Sequence, residues 1–446
     1  MKISMNRREF LRTTAAVGAS LYVAPEVLAQ TGKSDTINVA LLGAGAQGQV
    51  LLDSCLKMPN IRFKAVCDIW KVYNQTRVSN ILRAYKQEPN TYEDYRQMLD
   101  KEKEHLDAVI IATPDFWHSA HTVACLEAGL HVYCEKEMSN TVEGARKMVE
   151  AARKSGKLLQ IGHQRRSNPR YIYCYDKIIK EAKLLNRITT VNGQWNRSRA
   201  ACEDLGWGGP KLAIDDATLG KYGFKSMSQF RNWRWYKGLG GGPIVDLGSH
   251  QIDIYNWFLD ARPKSVMAGG GTDYWKEHEW YDNVMAIYEY ETKAGVVRAF
   301  YQTLTTNSSQ GYFEAFMGDE GTLTISEAAR RTALYRERWV DAEKWTPWVK
   351  KGYITDTVAA AEPKKAAGAV MDVRETPVPP KYEIPVTMDK AFHYPHLENF
   401  FDAIRGKAKL NCPAEVGYET AVTVLKVNQA VAAGCKLEFK PEDFKV

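Results

Sequence analysis

The amino-acid sequence predicts an α/β protein with two domains, a doubly wound parallel sheet followed by an α+β domain on an open, mostly antiparallel sheet. In the first third of the chain, uninterrupted apolar runs alternate with segments of helical spacing, which is typical of a parallel sheet covered on both faces. After Gln164 the runs alternate between apolar and polar residues, which indicates strands with one solvent-exposed face. The length of 446 residues, 45% of them hydrophobic, suffices for two domains with sizeable cores.

The first domain, predicted at residues 30–163, alternates strands and helices. A first strand, "TINVALL", is followed by the helical pattern "QVLLDSCLKM", and a second strand, "FKAVC", leads to Asp68. Later strands are predicted at "LDAVIIAT", "HVYCEKE" and "LLQIGHQ", with helices at "SAHTVACLEAGL" and "TVEGARKMVEAARKSG" between them. Gly129 lies where the first of these two helices should end. The pattern predicts parallel strands joined by helical crossovers.

The second domain, predicted at residues 164–446, moves from helical to strand-like spacing. "NPRYIYCYDKIIKEAKLL" is predicted as a helix, "ITTVNGQWN" as a strand, and residues 197–240 as a long loop rich in Gly, Trp and Arg. A helix at "GPIVDLGSHQIDIYNWFL" precedes the alternating strands "SVMAGGG", "DNVMAIYEYE", "VVRAFYQTLTT", "YFEAFMG" and "GTLTIS". Residues 346–388, rich in Ala, Pro and Lys, are predicted as a surface insertion. Helices at "HLENFFDAIRG" and "AEVGYETAVTVLKVNQAVAAG" close the chain.

Composition narrows the possible partners. The net charge of +7 is spread along the chain without a basic arm, so nucleic acid is not an expected partner. The eight cysteines form no CxxC pair, which argues against a zinc knuckle or a redox dithiol. The chain also has 12 Trp and 23 Tyr. Such rings either line a carbohydrate cleft or pack in the core, and composition does not choose between the two.

The N-terminus is predicted to be an export signal. "NRREFLR", with paired Arg7 and Arg8, is followed by a weakly apolar run that is too short and too rich in Ala and Ser to span a bilayer. The pattern resembles a twin-arginine signal occupying residues 1–29, with cleavage after Ala29. The alternative is a merely basic tail. An exported protein of this kind would be periplasmic and fold before export. Because no Cys lies near the cleavage point, a lipoprotein anchor is not expected.

The stretch "GAGAQG" follows the first strand and opens a helix, with Gly43, Gly45 and Gly48 in GxGxxG spacing. In this context the glycines allow a tight turn and close approach to a pyrophosphate, which the helix N–H groups would bind. Asp68 ends the second strand, where a carboxylate accepts bonds from ribose hydroxyls and disfavours a 2′-phosphate. The alternative is a glycine turn beside an unrelated acid. The predicted cofactor is NAD, held by Gly43, Gly45, Ala46, Gln47, Gly48 and Asp68.

Lys136 lies between Glu135 and Glu137 at the end of the strand "HVYC". Doubly wound sheets bind ligands at the carboxyl ends of their strands, so this lysine is predicted to contact both the nicotinamide ribose and a substrate hydroxyl. Glu135 can reach the ribose hydroxyls from the same position. Glu137 adds a second acid that would favour the charged lysine.

Asp246 and His250 are four residues apart in "DLGSHQID", on one face of a predicted helix. Oxidation of an alcohol needs a base for the hydroxyl proton, and the pKa of histidine suits that task. Two other interpretations remain: a structural Asp–His pair, or the start of a metal site. For a metal site no third and fourth ligands stand at a familiar spacing, so no metal is predicted.

Three stretches, "GAGAQG", "ATPDFWHSAHTVACLEAGLHVYCEKEM" and "GGGPIVDLGSHQID", resemble the Gfo/Idh/MocA family of sugar and cyclitol oxidoreductases. In that family a Glu-Lys-Pro turn supplies a catalytic lysine, which the resemblance places at Lys136, with Glu137 in place of the usual Pro. It implies that Asp246 is a partner of the substrate or imidazole and that His250 is the general base. The resemblance also implies a homo-oligomer, a dimer or tetramer built through the antiparallel sheet.

The resemblance implies further residues that bind the cofactor or the substrate. Thr113, Pro114 and His118 match the family's Thr-Pro-x-x-x-His strand end beside the cofactor, and Gln164 stands where the family often has Asn. Lys136, Arg165, Asp246 and His250 are the expected substrate contacts. His163, Arg165, Trp195 and Trp233 are further candidates for the wall of a sugar cleft, although Trp233 and its neighbour Trp235 would equally suit packing against the sheet.

The function predicted from these residues is NAD-dependent oxidation of a secondary hydroxyl, such as C3, of a sugar, glycoside or cyclitol. The alternative is an NAD-dependent glycosidase resembling glycoside hydrolase family 109, in which transient oxidation allows elimination of the glycosidic bond. The retained Lys136 favours the dehydrogenase, because the turn of that glycosidase family lacks the lysine. A non-catalytic sugar or nucleotide sensor on the same fold is the third hypothesis.

Overall fold

A computed structural model describes residues 35–202, 204–357 and 378–446. The predicted export signal, residues 1–29, lies outside the described residues, as does the middle of the predicted insertion. Residues 36–446 belong to one compact unit. Within the described residues no helix has the length and apolar character needed to cross a membrane.

The first sheet has six parallel strands in the order β3-β2-β1-β4-β5-β6. The strands are β1 Ile37–Leu42, β2 Ile61–Cys67, β3 Asn90–Tyr92, β4 Ala108–Ile111, β5 His131–Cys134 and β6 Leu159–Ile161. The helices between them are α1 Ala46–Leu56, α2 Thr76–Ala84, α3 Tyr95–Glu102, α4 Asp115–Glu127 and α5 Val142–Ser155. This confirms the predicted doubly wound sheet.

The central strand β1 shows why uninterrupted apolar runs form this sheet. Val39 and Leu41 pack into one hydrophobic cluster, and Ala40 and Leu42 pack into another on the opposite face. Successive side chains of a strand point to opposite faces, so a strand buried on both sides must be apolar at every position. The neighbouring β4 is likewise buried at all four positions.

The second sheet has ten strands in the order β14-β15-β13-β12-β11-β7-β10-β9-β8-β16. All its neighbours pair antiparallel except β7 and β10, which are parallel, so the sheet is mostly antiparallel as predicted. The strands are β7 Ile188–Asn196, β8 Pro263–Gly271, β9 Asn283–Thr292, β10 Gly295–Leu304, β11 Tyr312–Gly318, β12 Gly321–Ile325, β13 Ala333–Arg336, β14 Thr355–Asp356, β15 Lys381–Glu383 and β16 Leu437–Glu438.

The second half of the chain carries seven α-helices in its described part. They are α6 Pro169–Tyr173, α7 Asp216–Lys221, α8 Met227–Arg231, α9 Gly242–Leu259, α10 Thr346–Lys350, α11 Tyr394–Ile404 and α12 Ala414–Ala433. The helix predicted from residue 168 is α6 followed by a π-helical stretch, Cys174–Glu181. Helix α9 spans the predicted segment from end to end and is buried at 16 of its 18 positions. Its burial against β10 and α12 explains why it is apolar on nearly every side.

Two regions carry more structure than their composition indicated. The predicted loop at residues 197–240 contains α7 and α8. The described ends of the predicted insertion contribute α10, β14 and β15, and β15 pairs with β13 in the second sheet. Ile354 and Tyr382, on either side of the undescribed residues, are buried. Apolar side chains at single positions therefore tie both regions to the core.

Candidate active site

The strand order places the candidate site. Strand β1 lies at the centre of the sheet, with β2 on one side and β4 on the other, so the strand order reverses there. A crevice opens at this point, at the carboxyl ends of the strands. The glycine turn after β1, the Thr113-Pro114 turn after β4 and the Lys136 turn after β5 all border this crevice.

The glycine turn fits a pyrophosphate. Gly43 has a φ of +94°, and a Cβ there would lie 2.6 Å from the carbonyl of Ala112. A Cβ at Gly48 would lie 2.1 Å from the Gly43 oxygen, so only glycine allows the helix to pack this closely on the turn. Helix α1 has no acidic residue in its first turn and no side-chain cap, so its leading N–H groups are free to bind an anion.

Asp68 holds the glycine turn as well as lining the crevice. Its carboxylate accepts hydrogen bonds from the backbone N–H groups of Ala44 and Trp70, both at 2.7 Å. Asn74 donates to both carboxylate oxygens at 3.2–3.3 Å. Burial raises the pKa of Asp68, and these hydrogen bonds oppose that effect. Asn74 was not predicted, because nothing near it in the sequence marks a residue of the π-helical turn Lys71–Gln75 as a partner of the strand end.

The cofactor cavity, with a volume of about 200 Å³, receives most of the predicted cofactor residues. Gly48 and Gln164 are the two that do not line it. The predicted residues that do are Gly43, Gly45, Ala46, Gln47, Asp68, Thr113, Pro114, His118, Glu135 and Lys136. The residues present therefore fit an NAD molecule along the crevice.

His118 ties two of the turns together. Its Nε2 lies 2.7 Å from the Thr113 oxygen, and its Nδ1 lies 2.7 Å from the oxygen of Glu137. Burial lowers the pKa of His118 to about 4, against the opposing effect of the two carbonyls. The His118 ring thus holds the turn at Lys136 in position relative to the end of strand β4.

The substrate cavity, with a volume of about 410 Å³, adjoins the cofactor cavity. Lys136 and Glu135 line both cavities, while Asp246, His250 and Gln164 line the substrate cavity alone. Trp195, Tyr312 and Trp235 add aromatic faces to its wall. Lys136 therefore stands where a reacting substrate would meet the cofactor.

The Lys136 ammonium bonds to Asp246 and to neither flanking glutamate, although the backbone N–H of Lys136 donates to Oε2 of Glu135 at 3.3 Å. Its Nζ donates to the backbone oxygen of Asp246 at 2.5 Å and to Oδ1 at 3.1 Å. Glu137 is fully buried, and its Oε1 accepts from the Met138 N–H at 2.7 Å. Burial raises the pKa of Glu137 to about 8. The Lys136–Glu137 peptide bond is cis. Glu137 is thus a buried structural group, and the anion beside the lysine is Asp246.

Asp246 is shared by three cations. Besides Lys136, the Nε of Arg234 lies 3.2 Å from Oδ1, and Nη1 of Arg197 lies 3.9 Å from Oδ2. Burial would raise the pKa of Asp246, but the positive charges of Lys136, Arg234 and Arg197 outweigh it and hold the pKa well below its usual range. Neither arginine was predicted. Both lie in the predicted loop 197–240, whose richness in Arg and Trp was the one signal, and only Trp233 of that loop was predicted as a possible wall residue of the cleft.

His250 lies one helical turn after Asp246 without bonding to it. Across the described residues no hydrogen bond joins the two side chains, and the Nδ1 of His250 has no partner. The ring lies 5.2 Å from that of Trp195. Burial, followed by the charges of Lys136 and Arg165, holds the pKa of His250 well below its usual value. The imidazole is therefore neutral and able to accept a proton.

Arg165 lies behind the wall of the substrate cavity. It is buried between Glu314, to which it bonds through Nη1, and Glu327, whose Oε2 lies 3.1 Å from Nε. Its guanidinium also faces Trp195 at 5.5 Å. Gln164 donates to Glu327 at 3.2 Å and does line the cavity. Arg165 thus supports the cavity wall, and although it was predicted to contact substrate it lines neither cavity.

The other residues predicted to line the sugar cleft do not all lie at the same cavity. Trp195 lines the substrate cavity, whereas Trp233 lines the cofactor cavity. His163 is buried, with neither ring nitrogen hydrogen-bonded, and lines neither cavity. Among the residues described, no group of three or more His, Cys, Asp or Glu side chains is placed to hold a metal ion.

A segment that we term the cap, residues 204–240, covers the cofactor cavity. It forms a hydrophobic cluster with Trp70 that includes Ile214, Leu219, Tyr222, Phe224, Met227, Trp233 and Leu239. Trp70 and Trp117 donate through Nε1 to the oxygens of Leu212 and Tyr222, at 2.6 and 3.1 Å. Seven cap residues line the cofactor cavity. A bound cofactor would therefore lie between the glycine turn and the cap.

Two models of one oxidoreductase family match the chain. The model described as an oxidoreductase family with an NAD-binding Rossmann fold matches residues 37–163, and the GFO/IDH/MocA C-terminal domain model matches residues 217–324. Together the matched ranges cover just over half of the chain. The first match confirms the prediction of an NAD-binding Rossmann domain.

Relatives include scyllo-inositol 2-dehydrogenase (NADP(+)) IolW of Bacillus subtilis strain 168, 29% identical over 246 residues, which are 53% of this chain and 55% of that protein. A glycosyl hydrolase family 109 protein of Shewanella sp. strain W3-18-1 is 28% identical over 179 residues, 34% of this chain and 38% of that protein. The chain thus spans about half or less of the length of these relatives.

Solved structures share the fold at low identity. The WlbA dehydrogenase of Bordetella pertussis, in complex with NADH and UDP-GlcNAcA, has a TM-score of 0.63 at 16% identity, over 91% of this chain and 99% of that one. Levoglucosan dehydrogenase, in complex with NADH and levoglucosan, has a TM-score of 0.65 at 16% identity, over 90% and 99%.

Proposed function

The chain belongs to the Gfo/Idh/MocA family of oxidoreductases, and we propose that it oxidises a secondary hydroxyl of a sugar, glycoside or cyclitol in the cavity beside Lys136. The observation that carries the proposal is the position of Lys136, which lines both the cofactor and the substrate cavity. Asp246 and His250 border the substrate cavity from the same helix.

The side chains divide the chemistry between them. NAD, held by the glycine turn and Asp68, would supply the acceptor for the hydride of the carbinol carbon. His250, neutral because its pKa is lowered, takes the hydroxyl proton as general base. The Lys136 ammonium, fixed by Asp246, stabilises the negative charge that develops on the substrate oxygen. Glu135 reaches the cofactor from the shared boundary of the two cavities.

The proposal is tested with purified protein beginning at residue 30, a panel of sugars and cyclitols, and added NAD. The expected result is NADH formation with at least one neutral or charged sugar and loss of that activity in Lys136→Met and His250→Asn. If no member of a broad panel yields NADH or a transient reduced cofactor, the proposal is wrong.

A second candidate, an NAD-dependent glycosidase with no net redox change, is favoured by two observations. Several relatives of comparable identity are glycosyl hydrolase family 109 proteins. The cap also covers the cofactor cavity with a packed aromatic cluster, which would slow release of a cofactor between turnovers. Release of aglycone from nitrophenyl glycosides without NADH accumulation, together with retained NAD in native mass spectrometry, would identify the glycosidase.

Export and assembly complete the proposal. We propose that residues 1–29 direct folded export to the periplasm, and that the protein forms a dimer or tetramer. Support for export comes from the paired Arg7 and Arg8 ahead of a short apolar run. Cell fractionation with Arg7→Lys and Arg8→Lys together tests export, and sedimentation of the mature protein tests the oligomer.

A further inference from the structure

Three arginines border the substrate cavity, and the carboxylate of Asp246 is shared by two of them. The three are Arg197 at the end of β7, Arg231 at the end of α8, and Arg234 in the following turn. We infer that the sugar bound there is anionic, with a carboxylate or another acidic group held by Arg197 and its two neighbours. This inference rests on the proposed sugar oxidation and specifies its substrate class.

The charges around Asp246 favour an anionic ligand. The single negative charge of Asp246 is shared by Lys136, Arg234 and Arg197, at 3.1, 3.2 and 3.9 Å. Glu135 and Asp115 also face Arg234, so the positive charge that remains at this end of the cavity is centred on Arg197, whose only carboxylate partner among the described residues is Asp246 at 3.9 Å. Arg231 adds to it. Its Nε donates to the Gly206 oxygen at 3.2 Å, and no carboxylate of the described residues lies within ion-pair distance of it.

Aromatic faces hold these guanidinium groups in place. Arg197 lies over Trp195 at 5.4 Å, Arg234 over Trp233 at 4.3 Å, and Arg231 over Trp70 at 5.2 Å. Stacking fixes a planar guanidinium without using its donors, which stay available for an anion. The side chains of Arg197 and Arg234 are 37% and 42% exposed, so they reach the open space of the cavity.

Arginines with a structural role look different in the same protein. Arg165 is buried between Glu314 and Glu327, and Arg166 bonds to both oxygens of Asp253. Each is matched by carboxylates in its immediate surroundings. Arg197, by contrast, is stacked, partly exposed and has its one carboxylate partner among the described residues 3.9 Å away, which suits a ligand that supplies further negative charge.

The geometry also limits where the acidic group lies. Lys136 and Arg234 both bond to Oδ1 of Asp246, so the oxidised hydroxyl and the acidic group belong to the same sugar residue or to its immediate substituent. Arg231 and Arg234 also line the cofactor cavity, where the anion could be the cofactor's own pyrophosphate. Arg197 lines the substrate cavity alone and therefore distinguishes the two sources.

The experiment is calorimetric binding to the full mature protein saturated with NADH, so that no hydride acceptor is present and binding is measured without turnover. The probes are matched pairs: methyl glucuronide, galacturonide and mannuronide against the corresponding methyl glucosides, with glucose 6-phosphate and 6-sulfate as further anions. We expect at least one anionic member to bind at least tenfold more tightly than its neutral partner, with a preference that falls as salt rises.

Arg197→Gln should weaken binding of that anionic sugar about ten- to a hundredfold, because a charge-assisted contact is lost, and leave the neutral partner within threefold. Arg197→Lys should retain part of the preference. Arg298→Gln, on an exposed arginine paired with Glu289, is the matched control for net charge and should change neither affinity.

Equal or tighter binding of the neutral partner throughout the panel would overturn the inference, and so would an unchanged preference in Arg197→Gln. If Arg231→Gln weakens NAD binding while Arg197→Gln leaves the sugar preference intact, the anion is the cofactor's. NADH formation from a neutral sugar would leave the proposed oxidation standing in each of these cases.

Discussion

Replacing Lys136 with Met removes the cation that links the two cavities while keeping most of the apolar stem. The Lys136 side chain is 11% exposed and donates to the backbone and side-chain oxygens of Asp246. The lost ammonium acts where negative charge develops on the substrate oxygen. We expect turnover to fall by a factor of about 100 to 1,000, as for the loss of one preorganised electrostatic partner.

The structure also sets the expected effects on stability and cofactor binding. Asp246 keeps Arg234 and Arg197 after the change, so it is not left as an unpaired buried charge. The free energy of unfolding should therefore fall by about 1–3 kcal/mol, the range for a lost charged hydrogen bond, rather than by more. NAD binding should stay within about threefold, because the glycine turn and Asp68 are untouched.

The assay is steady-state NADH formation, with NAD affinity measured by protein fluorescence and stability by urea unfolding. Lys57→Met is the matched control, since Lys57 is exposed and paired with Asp53 at 2.6 Å, far along the chain from the site. Turnover of Lys136→Met within threefold of the parent would refute the reasoning, and the lysine would then be a strand-end ion pair. Loss of NAD binding would place it in the cofactor site instead.

Three further predictions follow from the same contacts. His250→Asn should slow turnover and remove an ionisation on the acidic side of the pH profile of kcat/KM, because the pKa of His250 is lowered; stopped assays extended to acidic pH will show it. Asp68→Ala should weaken NAD binding and reduce the preference for NAD over NADP. If fluorescence titration shows the NAD affinity and the cofactor preference unchanged, Asp68 does not bind the ribose. Glu137→Gln should alter the pH dependence of stability. Burial raises the folded-state pKa of Glu137 from 4.5 to about 8, so the folded state holds a proton that the unfolded state releases, and stability falls as pH rises between those values. Thermal melts should show that decline, on the order of a few kcal/mol, flattened in Glu137→Gln.

The fold could be predicted because its signals are local. Strand β1 is apolar at consecutive positions and buried on both faces, and the Gly43, Gly45 and Gly48 spacing needs no distant residue to be interpreted. Helix α9 was predicted with its observed ends because its helical spacing of apolar residues and the glycines before it both occur in one continuous segment of the sequence.

The partners of Lys136 could not be predicted in the same way. Glu135 and Glu137 are its neighbours in sequence, yet the anion that holds its ammonium, Asp246, is 110 residues away. Helical spacing placed Asp246 and His250 on one face but did not show that the carboxylate turns to Lys136 and Arg234. Long-range ion pairs of this kind depend on how two domains pack, which a periodic pattern does not encode.

In the proposed mechanism the two tasks of alcohol oxidation belong to different side chains. Asp246 has its pKa held well below the usual range, so it remains a carboxylate and keeps an ion pair with Lys136 throughout the neutral pH range. His250 has its pKa lowered, so it remains an uncharged imidazole over that range. A fixed cation can stabilise an oxyanion but is a poor acceptor of its proton, whereas a neutral imidazole can accept the proton. Loss of Lys136 should therefore lower the rate at every pH, while loss of His250 should also remove a fall in rate on the acidic side, below the usual histidine range.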